Sequence, residues 1–170
     1  MRLLMRAPAA VAIVLLAALV PAYGQSRDGA VSVSAGSNGA ARITLSGGRS
    51  VTVPKEPGQV GVAAGRIAPN GTVGWFAEFR IDGVSYPIAL TLITWRAGRV
   101  VRRFHTEQSL YSWAFYAQGA QVAYHDGPLH GERRSHCELR DVATGVLIAA
   151  WDGDLSAGGG RPAWVGGLTR

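Results

Sequence analysis

The 170-residue chain contains a single cysteine, Cys137. An internal disulfide is therefore excluded, and stability must come from burial and backbone pairing. Lysine is almost absent: Lys55 is the only one among 17 basic residues, and the arginines nowhere form a run of five. The clustered basic face that nucleic-acid binding requires is missing. Beyond the first two dozen residues, no apolar stretch approaches the roughly twenty residues needed to span a bilayer. No segment past that point carries apolar residues at the helical period of about 3.6, which argues against a helical bundle. Catalytic signatures are missing as well. There is no Gly-x-Ser-x-Gly elbow. No pair of carboxylates is fixed at a readable separation. Gly158-Gly159-Gly160 leads into no helix that would make it a phosphate cradle.

The N-terminus carries a targeting pattern. Arg2 and Arg6 precede an apolar run from Ala9 to Val20, Pro21 breaks it, and Ala22-Tyr23-Gly24 offers small residues for cleavage before Gln25. Residues 1–24 are expected to be a cleaved signal peptide, which places the mature chain in the periplasm or outside the cell. With 15 basic against 11 acidic residues, the mature chain is moderately basic. Its surface should be solvated, with some attraction to anionic envelope polymers.

A repeat of about 47 residues organises the rest. Ile67–Trp75 matches Phe115–Tyr124, each an apolar run, a Gly turn and a second apolar run. Leu92–Val100 matches Cys137–Leu147, and Ile43–Val51 matches Ile93–Val101. Short alternating segments separated by Gly turns predict strands at 41–45, 50–53, 61–68, 73–79, 88–95, 99–104, 110–116, 121–125, 135–140 and 146–151. Residues 25–40 are expected to be a flexible lead with one edge strand at 31–33, and 154–170 a flexible tail. The domain between them, 41–153, is predicted to be all-β. It is built from short antiparallel four-stranded meanders, about two and a half propeller-like blades, in an open stack or sandwich.

Two segments carry a resemblance. Ala68-Pro69-Asn70-Gly71 resembles the Ser-Pro-Asp-Gly turn of WD40-like and TolB-type β-propeller repeats. Leu139-Arg140-Asp141-Val142-Ala143-Thr144-Gly145 resembles the end-of-strand segment of WD40-like blades, with Leu139-Arg140 where a Trp-Asp pair would stand. Through Ser85-Tyr86-Pro87-Ile88 and the stretch from Glu138 to Gly145, the chain also resembles an uncharacterised family of exported bacterial proteins. The propeller resemblance covers about residues 41–151 and implies blades that stack face to face. Two and a half blades do not close a ring of four to eight.

The middle meander is apolar on both faces and should be covered on both. Trp75, Phe79, Trp113 and Phe115 are the predicted anchors. In the last meander, Gln121, His125, His136, Glu138 and Arg140 alternate with apolar residues, so one face is expected to be wet and outermost, as a terminal repeat requires. Cys137 should point inward and be inert.

Three of the four histidines, His125, His130 and His136, lie close in sequence beside Asp126 and Glu138. Imidazole and carboxylate suit Zn²⁺, so these histidines form a candidate metal set. The loops 80–87 and 126–134 both join second and third strands, so they should share one edge of adjacent blades. Tyr86, Asp126, His130, Arg133 and Arg134 are the candidate ligand- or partner-binding residues there. The sequence thus points to an exported, non-enzymatic binding or scaffolding module without a cofactor. Its partner would be another protein or an envelope polymer, and it has no nucleic-acid partner and no membrane span in the mature chain. The alternative is a small metal-dependent hydrolase using His125, His130 and His136.

Overall fold

The computed structural model describes residues 29–130, 135–155 and 160–169. The expected signal peptide, Arg133 and Arg134 lie outside them. Among the described residues, eleven strands form three antiparallel sheets. The first sheet is β1 (Ala30–Ala35), β2 (Ala41–Leu45) and β3 (Ser50–Val53). The second is β4 (Gln59–Ile67), β5 (Val73–Phe79), β6 (Ile88–Arg96) and β7 (Arg99–His105). The third is β8 (Ser109–Tyr116), β9 (Gln121–Gly127), β10 (Ser135–Asp141) and β11 (Leu147–Gly153). Each sheet is a meander whose strands pair in sequence order. The result is the all-β open stack of short meanders that the Gly-turn spacing predicts.

The middle sheet is covered on both faces. One face presents Val73, Trp75, Ala77, Ile93 and Trp95 to Ala41, Ile43, Leu45 and Val53 of the first sheet. The other presents Phe76, Ala89 and Leu92 to Leu110, Trp113, Val122 and Tyr124 of the third. Plain alternation would put Ala89 with Thr91 and Ile93. A bulge at Leu90, where Ala77 pairs Thr91 but Glu78 pairs Ala89, moves it to the opposite face. Of the predicted anchors, Trp75 and Trp113 are fully buried, whereas Phe79 and Phe115 are partly exposed. Gln59, buried at the start of β4, ties the first two sheets by donating to Gly39 O at 2.7 Å.

Three expectations are corrected. The lead is not loose over its whole length: β1 extends from 30 to 35 and pairs with β2. Val33 faces the shared core, which gives the segment a reason to be fixed. The described part of the tail from 160 to 169 is not loose either. Residues 163–166 form a short helix, α1, followed by a 3-10 turn over 167–169. Val165 and Leu168 bury themselves against Ala123, Cys137 and Leu139 on the far side of the third sheet, and Tyr116 donates to Trp164 O.

The third correction concerns which face is wet. Tyr124 pairs Glu138, Val122 pairs Arg140 and Asp126 pairs His136. Directly paired residues share a face, so His136, Glu138 and Arg140 turn toward the second sheet. The outer face is Ala123, Cys137 and Leu139 under the tail. The wet terminal face belongs to the first sheet, where Ser32, Ser34, Arg42, Thr44, Ser50 and Thr52 share the side away from the core.

Gly74 marks a close approach between the second and third sheets. A Cβ there would lie 2.5 Å from the Trp113 ring and 3.1 Å from Phe115. Those two rings pack edge to face at 4.9 Å, so neither yields easily. Gly74→Ala should destabilise the protein by about 1–3 kcal/mol through overpacking. Urea denaturation of the variant beside the parent measures this, and an unchanged midpoint would refute the packing described.

Candidate functional site

Two surfaces carry polar and aromatic chemistry, one at an end of the second and third sheets and one along the inward side of the third sheet. The first is the end holding the β5–β6 and β9–β10 connections. Tyr86 projects there with half its surface exposed (52%), and Tyr111 with nearly as much (49%). A bulge in β8, between Leu110 paired to Asp126 and Ser112 paired to His125, leaves Tyr111 without a partner across the ladder and turns it outward. Its hydroxyl donates to Pro128 O at 2.6 Å, and its ring lies 5.2 Å from the His125 ring. Partial burial, and then the neighbouring Tyr86 phenol, push the Tyr111 pKa up. Tyr86, on the β5–β6 loop, is thus near enough to Tyr111, on β8, for its charge to be felt. Burial lowers the His125 pKa, so at neutral pH this end presents uncharged rings.

The sequence-predicted residues divide accordingly. Tyr86 and the exposed His130 lie on the two loops. Asp126 does not join them: β9 runs on to Gly127, and Asp126 is 8% exposed on the face turned toward the second sheet. Its Oδ1 is buried without a hydrogen-bond partner among the described residues, and burial raises its pKa. The histidine triad is not assembled. His125 pairs Cys137 and His136 pairs Asp126, which puts the two imidazoles on opposite faces of the sheet. Among the described residues, no group of three or more potential ligands is placed to hold a metal. Cys137 is fully buried. Its pKa is pushed up to about 12, by burial first and then by Asp126 and Asp152, so it is a poor nucleophile.

The second surface is a chain of ion pairs on the inward side of β10. Glu138 accepts from Arg140 Nε at 2.6 Å and Arg140 Nη2 at 3.0 Å. The Tyr124 hydroxyl also donates to it, and His136 Nε2 lies 3.4 Å away. His136 Nδ1 in turn meets Asp152 Oδ1 at 2.6 Å, and Arg140 Nη1 donates to Gly145 O at 2.9 Å. A carboxylate turned into a sheet-on-sheet interface is tolerated only when its lone pairs are used, and here they are. Burial by itself would raise the Glu138 pKa, but the bonds from Arg140 and Tyr124 outweigh it and hold the carboxyl below its usual range. Burial and the bond to Glu138 push the Tyr124 phenol well up.

Sequence reasoning missed Tyr111, Arg102 and the role of Tyr124. Tyr111 sits at a bulge, which leaves no mark in composition. Arg102 lies on β7, among Arg99, Arg103 and His105, an excess of basic residues on one strand that the sequence displays. No protein-family model matches the sequence, and no curated protein matches it.

His136 gives a testable pH dependence. Burial lowers its pKa, but the bonds to Asp152 and Glu138 and the nearby Asp126 carboxyl raise it on balance. A folded-state pKa above the unfolded one stabilises the protein fully below the unfolded value. That stabilisation fades as pH rises through the folded value. His125, shifted down, contributes with the opposite sign, so the difference between parent and His136→Gln isolates the effect. The parent should lose its stability margin over the variant as pH rises from about 6 to about 8. Thermal melts across that range provide the check, and a margin independent of pH would contradict the pairing.

Proposed function

We propose that this chain is an exported, non-enzymatic binding module whose recognition surface is the tyrosine-bearing end of the second and third sheets. The observation that carries this reading is the pair Tyr86 and Tyr111. They are two large rings from adjacent sheets, about half exposed, with Tyr111 fixed by its bond to Pro128 O and its contact with His125. Tyrosine supplies a rigid contact area with a polar tip at low entropic cost, which suits it to recognition. Loops at one end of stacked sheets are the part of such a fold that can vary without disturbing the core. The partner is another protein or an envelope polymer that offers flat, weakly polar faces, such as sugar rings or proline-rich segments, to the two phenols. No cofactor enters this reading. The propeller-like repeat supplies a stiff platform, and the wet first sheet and the covered third sheet leave this end as the place where aromatic surface meets solvent.

The test uses purified mature chain immobilised and challenged with separated cell-envelope fractions, polysaccharide and protein. We expect one fraction to be retained by the parent and lost by Tyr86→Ala/Tyr111→Ala, with the melting temperature little changed because both side chains are half exposed. Equal retention by parent and double variant would rule out this surface.

A further inference from the structure

Along β7, an edge strand of the second sheet, and beside the β10–β11 turn lies a cleft of about 280 Å³. Its lining includes Arg102, Arg103, His105 and Arg140, with Phe104 and Tyr124 as apolar walls, and no carboxylate lines it among the described residues. Arg102 and Phe104 share the face of β7 turned toward the third sheet, whereas Arg103 and His105 line the cleft from the other face, where His105 Nδ1 lies 3.0 Å from Thr91 Oγ1.

The arginines are held in place before any ligand arrives. Arg102 Nη2 donates to Ala143 O, and Arg140 Nη1 donates to Gly145 O at 2.9 Å. The turn they clasp is itself pinned, since Asp141 Oδ1 accepts from Thr144 N at 2.7 Å and Thr144 Oγ1 at 2.8 Å. Nearby acids are already engaged. Glu138 spends both oxygens on Arg140, and Glu56 pairs with Arg103 at 2.8 Å. Asp141 lies close enough to Arg102 to feel its charge. A guanidinium has five N–H donors, so these contacts leave several unused. Arg102 Nε in particular is buried with no hydrogen-bond partner among the described residues. A buried charged donor left unpaired is costly. A rigid fork of such donors beside aromatic walls matches the planar or tetrahedral oxygens of an anion.

We propose that this cleft is a binding site for a multiply charged oxyanion, phosphate or carboxylate in type, held by Arg102, Arg103, Arg140 and His105. The site is independent of the tyrosine surface and adds electrostatic capture to it. The guanidinium groups come from two different sheets, Arg102 and Arg103 from the second and Arg140 from the third. A bound anion would therefore also brace those sheets against each other.

Calorimetric titration of the full mature chain with pyrophosphate and with citrate, against chloride at matched ionic strength, tests the site. We expect saturable binding and a raised melting temperature with at least one of the two. Tighter binding of pyrophosphate assigns the phosphate type, and tighter binding of citrate assigns the carboxylate type. Arg102→Gln should weaken binding about tenfold through the loss of charge-assisted bonds. Arg103→Gln, whose side chain is half exposed and outside the core, should weaken it severalfold without a folding defect, so it decides the matter if the first variant is unstable. Tyr86→Ala should bind the anion as the parent does, which separates failure of this site from failure of the tyrosine surface. The proposal is overturned if neither anion binds beyond the chloride control, or if folded Arg102→Gln and Arg103→Gln bind as tightly as the parent.

Discussion

The indole of Trp113 is the contact on which the stack depends. It is fully buried and rests in the space that Gly74 leaves open on the middle sheet. Its Nε1 donates to Ala64 O at 2.8 Å, and Arg66 lies over its ring at 5.6 Å. Phe76 and Phe115 complete the aromatic contact. One side chain of the third sheet thus engages β4 and β5 of the second through apolar burial, a hydrogen bond and a cation–π contact at once. With no disulfide to staple the sheets, such face-to-face burial is the main term available.

That constraint explains how polar residues are distributed. The Trp113 side of the third sheet is apolar toward β8 and increasingly charged toward β10, where Tyr124, Glu138, Arg140 and His136 form a bonded chain. The interface is therefore dry in its middle and ionic toward the outer strands, and the arginine cleft lies where it opens. The far face of the same sheet, with Cys137 at its centre, is closed by Val165 and Leu168 of the tail. An open stack must finish its last apolar face somehow, and here a short C-terminal segment does it in place of another sheet.

Much of the fold was legible in the sequence, for local reasons. Gly98 at φ 86° and Gly145 at φ 77° mark hairpin turns that only residues tolerant of positive φ can make. The alternation in Val73–Phe79 announced a strand buried on both sides. What could not be read was register. The sequence shows that Tyr124 and Cys137 are apolar, but only pairing reveals that Tyr124 stands beside Glu138 and Cys137 beside His125. A one-residue difference in register exchanges the faces, and it did so for the wet face and for the histidine set. Bulges at Leu90 and Tyr111 had the same effect locally. Asp126 looked like a loop residue because β9 outlasts its apolar run. The arginine cleft joins residues about forty positions apart, and no local pattern records that proximity.

The tyrosine-bearing end and the arginine cleft are surfaces of different chemistry carried by one stack. Both surfaces rely on the second and third sheets keeping their relative position, which returns the question to Trp113. The most direct measurement is the unfolding free energy of Trp113→Ala against the parent in urea, followed by tryptophan fluorescence and circular dichroism together. A loss of about 3–5 kcal/mol, with both signals changing in one transition, is the predicted result. A loss below about 1 kcal/mol, which is typical of an uncritical position, or separate transitions for the two signals in the parent, would contradict a stack that depends on this contact.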